Sequence, residues 1–242
     1  MERPAEIQRE LNELANPKIA EHSQRFFKTG PGEYGYGDVF LGIRVPVLRQ
    51  VAKKYVQLSL AEIETLLGST YHEERLTGLL ILVKQYDQAR TEGEKEAVYQ
   101  FYLNHFPAIN NWDLVDTSSP YIVGRHLMDR DRSVLYQWAR SEHLWTRRIA
   151  MISQWWLIRN GDLSEVFSLA EILLEDSQDL IHKAVGWMLR EAAKKDLIQA
   201  EAFLKQHYQS MPRTMLRYSI EKFPDAKRQR YLKGLVASGT GG

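Results

Sequence analysis

Apolar residues recur at three- and four-residue intervals along most of the chain, the spacing of helices that bury one face. The stretches "PAEIQRELNELA", "VPVLRQVAKKYVQ", "LAEIETLLGS", "HEERLTGLLILVKQY" and "EKEAVYQFYLNHF" show it. So do "SVLYQWARSE", "LWTRRIAMISQWWLI", "LSEVFSLAEILLE", "DLIHKAVGWMLREAAK", "QAEAFLKQHY" and "RTMLRYSIEKF". The connectors are short and carry helix-start signals such as Asp162-Leu163-Ser164 and Pro212. The pattern predicts an all-α chain of about a dozen helices.

These helices echo one another. "EERLTGLLIL", "TRRIAMISQW" and "IHKAVGWMLR" each set a basic residue before an apolar run that contains small residues. The basic positions are Arg75, Arg148 and Lys183, separated by 73 and 35 residues. A period near 35 built from two helices is the mark of stacked helical-hairpin repeats, in which each pair buries its apolar face against the next. The expectation is one domain over residues 1–242, a curved solenoid with a concave side.

One segment interrupts the helices. "KTGPGEYGYGDVFLGIRVP", residues 28–46, holds five glycines and two prolines and cannot be a continuous helix. Aromatic and β-branched residues around a glycine-rich turn suggest a short β-hairpin over residues 30–42, with a simple loop as the competing reading. It contains no GxxxxGK[ST] phosphate loop.

A second break in the pattern is chemical. "NNWDLVDTSSP" places Trp112 and Asp116 four residues apart, on one helix face, and turns Asp113 elsewhere. Asn111 or Asp113 is suited to cap the helix start, but Asp116 lies too deep for that role. Pro120 removes the hydrogen bond to the carbonyl of Asp116 and predicts a kink. Further on, Arg147 and Arg148 follow Trp145 at the head of an apolar helix, where a guanidinium either snorkels or meets an anion. Trp187 stands beside Gly186, which lets another surface come close. Trp155 and Trp156 are expected to be core aromatics.

Composition narrows the chemistry. The chain has 242 residues and no cysteine, so disulfides, thiolate zinc sites and cysteine-ligated clusters are excluded. Its seven histidines form no metal-binding spacing, and neither metal nor cofactor is expected. No stretch reads as a signal peptide or a membrane span, so a cytoplasmic protein is the expectation. The net charge of +1 hides an asymmetry: residues 181–242 carry 12 Lys and Arg against 5 Asp and Glu. Such a basic third can track a phosphate backbone, although a solvated lysine-rich face reads the same way.

With "WDLVD" (112–116), "LWTRRIA" (144–150) and "KAVGWMLREAAK" (183–194) in view, the chain resembles the HEAT-like-repeat DNA alkylation repair family of AlkD type. The likeness runs from "RFFK" near residue 25 to the basic C-terminal helices. It implies an all-α, right-handed solenoid of HEAT-like repeats with a concave DNA-binding face. It also implies an alkylpurine DNA glycosylase, with Asp116 as the catalytic carboxylate, Trp112 and Trp187 cradling the sugar and backbone, and Arg148 on a phosphate. Arg147, Lys183, Arg190, Arg213 and Arg217, with Tyr34 and Tyr36 of the glycine-rich segment, are the further candidate DNA contacts. Double-stranded or branched DNA is the expected partner, and a nucleoid-associated monomer the expected state.

The implied chemistry is coherent. A purine alkylated at N3 or N7 is cationic and leaves readily, so no general acid is needed. The transition state is oxocarbenium-like, and a fixed carboxylate stabilises it and positions water. One departure matters: the segment over 28–46 is longer than its counterpart in the type glycosylase. Some relatives carry a β-hairpin insertion and bind branched DNA without glycosylase activity, so a branched-DNA binder is the alternative, and a protein-binding helical scaffold a third.

Overall fold

The structure, a computed structural model, describes residues 2–237. The all-α expectation holds: among the described residues there is no strand, and a lone parallel bridge joins Val39 to Tyr71. The chain divides into two compact units, Met1–His126 and Leu127–Gly242. Among the described residues no helix is long and apolar enough to cross a membrane.

In the first unit the helices are α1 (Glu2–Glu13), α2 (Pro17–Phe26), α3 (Val45–Lys54), α4 (Leu60–Leu67), α5 (His72–Gln88), α6 (Glu92–Asn104) and α7 (Trp112–Ser119). Helix α5 is its axis. It packs against α3, α4, α6 and α7, and every residue from His72 to Leu82 is buried. A helix buried all round needs apolar neighbours on every side, which explains why its sequence runs so evenly hydrophobic after Thr77. Ser59 with Glu62 and Thr91 with Glu94 close capping boxes that start α4 and α6.

The second unit holds α8 (Ser133–Ala139), α9 (Leu144–Ile152), α10 (Gln154–Arg159), α11 (Val166–Ile172), α12 (Asp179–Lys195), α13 (Leu197–His207), α14 (Arg213–Ser219) and α15 (Asp225–Leu232). Its axis is α12, which touches α9, α10, α11, α13 and α14. Gly186 brings α12 against α14: a Cβ there would lie 2.5 Å from Tyr218 Cβ and 2.6 Å from the carbonyl oxygen of Met215. The close approach expected at this glycine is therefore real. The expected single helix over "LWTRRIAMISQWWLI" is split at Ser153, whose hydroxyl donates to the carbonyl of Ile149 at 2.6 Å. Such back-bonding competes with the helix ladder and bends it.

The repeat echo is real but one residue out of register in two of its three copies. Arg75 donates to the carbonyl of Ser69, Arg147 to that of Ser141, and His182 to that of Asp176. Each is a side chain early in a helix reaching six residues back to tie the preceding turn. The repeated device thus falls on Arg75, Arg147 and His182, not on Arg75, Arg148 and Lys183.

The hairpin expected over residues 30–42 does not form. Successive turns consume the backbone groups that a hairpin would pair: Glu33 N–H bonds Gly30 O, Tyr36 N–H bonds Glu33 O, and Asp38 N–H bonds Gly35 O. Gly32 and Gly37 take positive φ of 80° and 90° within these turns. The segment then runs extended over helix α5, where the Glu73 carboxylate accepts the N–H groups of Leu41, Gly42 and Ile43 at 2.9, 2.8 and 3.1 Å. Pro120 does not end its helix. The chain continues from α7 into a π-helical stretch, Pro120–Gly124, with Arg125 N–H on the carbonyl of Pro120.

Candidate active site

Helix α7 begins at Asn111, whose side-chain oxygen accepts the Trp112 N–H at 2.9 Å. Its two aspartates have opposite fates. Asp113 is 6% exposed, and its Oδ2 accepts from His72 Nε2 at 2.8 Å. Asp116, one turn beyond Trp112, is half-buried, as is Trp112 itself. The pair therefore shares a partly open face, as the spacing predicts. Asp116 also acts on Tyr102: burial pushes that phenol's pKa up, the Ser118 hydroxyl opposes the shift, and the Asp116 charge adds to it.

Beneath this face lies a buried ionic network absent from the sequence expectations. His72 stands between two carboxylates, with Nδ1 3.0 Å from Asp38 Oδ2 and Nε2 2.8 Å from Asp113 Oδ2. Asp38 also receives Arg75 Nη2 at 2.5 Å, Asn110 Nδ2 at 3.1 Å and Asn111 Nδ2 at 3.2 Å. Burial alone would depress the His72 pKa, but the Asp113 charge and hydrogen bond, with those of Asp38, raise it to about 9. Burial likewise works against the Asp38 carboxylate. The His72 bond and the Arg75 charge outweigh it and hold that pKa below the usual carboxylate value. Two anions and two cations thus cancel inside the unit, which is what makes their burial tolerable.

Aromatic rings continue the contact outward. The Trp112 ring stacks on Phe27, with centroids 5.2 Å apart and planes 14° from parallel, and meets Phe26 edge-on at 6.0 Å. Phe27 in turn stacks on Phe40 at 4.9 Å, and Phe40 stacks on His72 at 4.5 Å. Phe26 is 57% exposed, which leaves an aromatic edge at the surface beside Trp112. No motif could have identified Asp38 and His72, since they lie 34 residues apart and meet only in the fold.

In the second unit the expected residues fall into two sets. Arg148 is buried, with Nη1 donating to the carbonyl of Leu180 at 2.5 Å, so it ties α9 to α12. Arg147 holds Asp176 through Nε at 2.6 Å and the carbonyls of Ser141 and Glu142 at 2.8 Å each. Lys183 pairs with Asp179 at 2.7 Å, and Arg190 pairs with Glu221. Arg213 and Arg217 are exposed, Arg213 with one nitrogen on the carbonyl of Leu232. Trp187 is half-buried on α12, next to Gly186. Back in the first unit, Tyr36 is 67% exposed and Tyr34 half-buried. Trp155 and Trp156 are half-buried, more open than core aromatics, and Arg159 lies over the Trp155 ring at 5.1 Å.

Among the described residues, no group of three or more histidines and carboxylates is arranged to hold a metal ion. A family model described as "DNA alkylation repair enzyme" matches residues 7–223. Among solved structures, a chain described as "Predicted DNA alkylation repair enzyme from Enterococcus faecalis" is similar, with a TM-score of 0.68 and 18% sequence identity. The match covers 87% of this chain and 97% of that one. No curated protein gives a significant match.

Proposed function

The chain belongs to the DNA alkylation repair enzyme family, and from that premise we propose that it is a DNA glycosylase releasing cationic N3- or N7-alkylated purines. The observation that carries the proposal is the division of labour on α7. Asp113 lies in the interior against His72, and Asp116 lies on the half-open face with Trp112. A carboxylate kept at such a face, beside an aromatic ring, suits a deoxyribose that is turning cationic.

In this proposal the base leaves as a neutral purine, having entered as a cation. Asp116 stabilises the oxocarbenium-like sugar and orients the attacking water, and Trp112 packs against the sugar. Trp187 supplies a second aromatic surface for the DNA backbone. Arg148, being buried on the Leu180 carbonyl, contributes positive charge and fixes α12. The exposed Arg213 and Arg217 are among the side chains open to phosphates. Residues 30–42 form turns in place of the hairpin that the branched-DNA alternative invoked, which supports the glycosylase reading.

The test is base release from duplex DNA containing 7-methylguanine, by the parent and by Asp116→Asn. Release by the parent, with a loss of about 10²-fold or more in the variant at little-changed DNA affinity, is the expected result. Tight DNA binding with no release by the parent would sink the glycosylase reading and favour a non-catalytic DNA binder.

A further inference from the structure

We propose that Asp38, carried by the glycine-rich segment, is a positioning residue for Trp112 and Asp116, acting through Asn111, His72 and Asp113. The catalytic consequence rests on the glycosylase reading. The geometric consequence does not.

The residues on either side of Trp112 in the sequence are the two that the network grips. Asn111 bonds Asp38 through Nδ2 at 3.2 Å and accepts the Trp112 N–H through Oδ1 at 2.9 Å, so one amide spans from Asp38 to the tryptophan backbone. Asp113 is held from the other side by His72, whose second nitrogen is on Asp38. A helix fixed at two successive flanking positions cannot roll about its axis, and the roll of α7 decides where Trp112 and Asp116 point. The main chain of Asp38 is anchored too, its carbonyl accepting Gln24 Nε2 of α2 at 2.8 Å. Asp38 therefore stands where α2, α5 and the start of α7 meet, and it accepts from four side-chain donors.

The charges facing Asp38 are His72 and Arg75 of α5, with Asp113 of α7 beyond His72. Glu73 of α5 faces the same segment but is occupied by three backbone N–H groups. Helix α2 contributes an amide there, through Gln24. Apolar side chains could fill this volume, but they would not fix a rotation. Directional, paired charges do, which is the use of a buried network with the firmest physical basis, although Arg75 Nε is left without a partner. The inserted turns are then not a DNA-reading hairpin. They are the arm that carries Asp38 into the interior.

The experiment compares the parent with Asp38→Asn, which keeps the shape and removes the charge. Two quantities are read: the single-turnover rate of 7-methylguanine release per folded molecule, and the indole N–H resonance of Trp112 in ¹⁵N-tryptophan-labelled protein, assigned with Trp112→Phe. The expected result is a rate lower by about 10-fold or more with DNA affinity changed less than about twofold, since a displacement near 1 Å is enough for such a loss. The Trp112 resonance shifts in the same variant. Ile63→Val, a change on α4, which carries no member of the network, leaves both unchanged. If Asp38→Asn does not fold, Asn110→Ala removes one bond to Asp38 from a half-buried position and shows the same two changes in smaller measure. An unmoved Trp112 resonance with an unchanged rate, in whichever variant folds, overturns the proposal. If the parent releases no base, the glycosylase reading fails separately and the Trp112 resonance still decides the positioning.

Discussion

Around Trp112, two carboxylates, an imidazole and a guanidinium lie buried in one hydrogen-bonded chain, Asp113–His72–Asp38–Arg75. Around Trp187, the neighbouring glycine presses its helix against the carbonyl of Met215 and the side chain of Tyr218. One tryptophan helix is held by buried paired charge, the other by close packing with a surface ion pair, Arg190–Glu221, beside it. The difference lies in what can disturb them. A charge network responds to protonation and to the loss of a single partner, whereas a tight helix crossing responds to volume alone.

The largest expected effect comes from breaking the network at its centre. His72→Gln leaves Asp38 and Asp113 without the cation between them, and removing one partner of a buried ionic group costs about 3–5 kcal/mol. Urea unfolding at pH 6 measures it. The parent adds a pH signature. Because the folded His72 pKa is raised to about 9 from 6.5, its stabilising contribution is complete below pH 6.5 and is lost as pH rises through 9. The loss over that window is on the order of 3 kcal/mol, and the His72→Gln profile lacks it. A parent whose stability stays level from pH 6.5 to 9 contradicts a charged His72.

The packing side of the comparison gives a smaller number and no pH dependence. Gly186→Ala puts a methyl group 2.6 Å from the Met215 carbonyl oxygen, which is backbone and cannot rotate away. Overpacking of this kind costs about 1–3 kcal/mol. The same urea series, run at pH 6 and pH 9, returns one value at both pHs for Gly186→Ala. A cost that changes between them would mean that the α12–α14 crossing also depends on charge.

The two regions were also unequally legible in the sequence. Helix α12 reads directly from its apolar spacing and from Gly186, because packing between amphipathic helices is written locally. Trp112 and Asp116 were legible for the same reason, being four residues apart on one helix. What holds them was not: Asp38, His72 and Asp113 are joined across 34 and 41 residues, and no local pattern announces such a meeting. The aromatic and glycine-rich composition of residues 30–42 suggested a hairpin because pattern reading ignores Glu73, which draws that backbone onto α5. Helix α2 escaped notice because its ten residues hold few apolar side chains and none of them is buried. Its Asn16–Pro17 start was the available signal. The repeat register slipped because sequence comparison aligned charges, while the fold aligns the side chain that reaches the preceding turn.

The smallest effect concerns neither form of fixation and so sharpens the comparison from outside. Arg217 is exposed on α14, the helix that α12 packs against, and is not among the atoms nearest Gly186. Arg217→Ala should leave the unfolding profile of the second unit unchanged. If Arg217 meets a phosphate, the slope of log affinity against log salt becomes shallower by about 0.9, the share of one neutralised phosphate in duplex DNA. The weakening should be equal for methylated and unmodified duplexes, because a phosphate contact carries no information about the base. A change of slope with unchanged stability places the DNA backbone against α14 and assigns Gly186 to packing alone. An unchanged slope removes Arg217 from the DNA contacts and leaves Arg213 as the exposed arginine of α14 still to test.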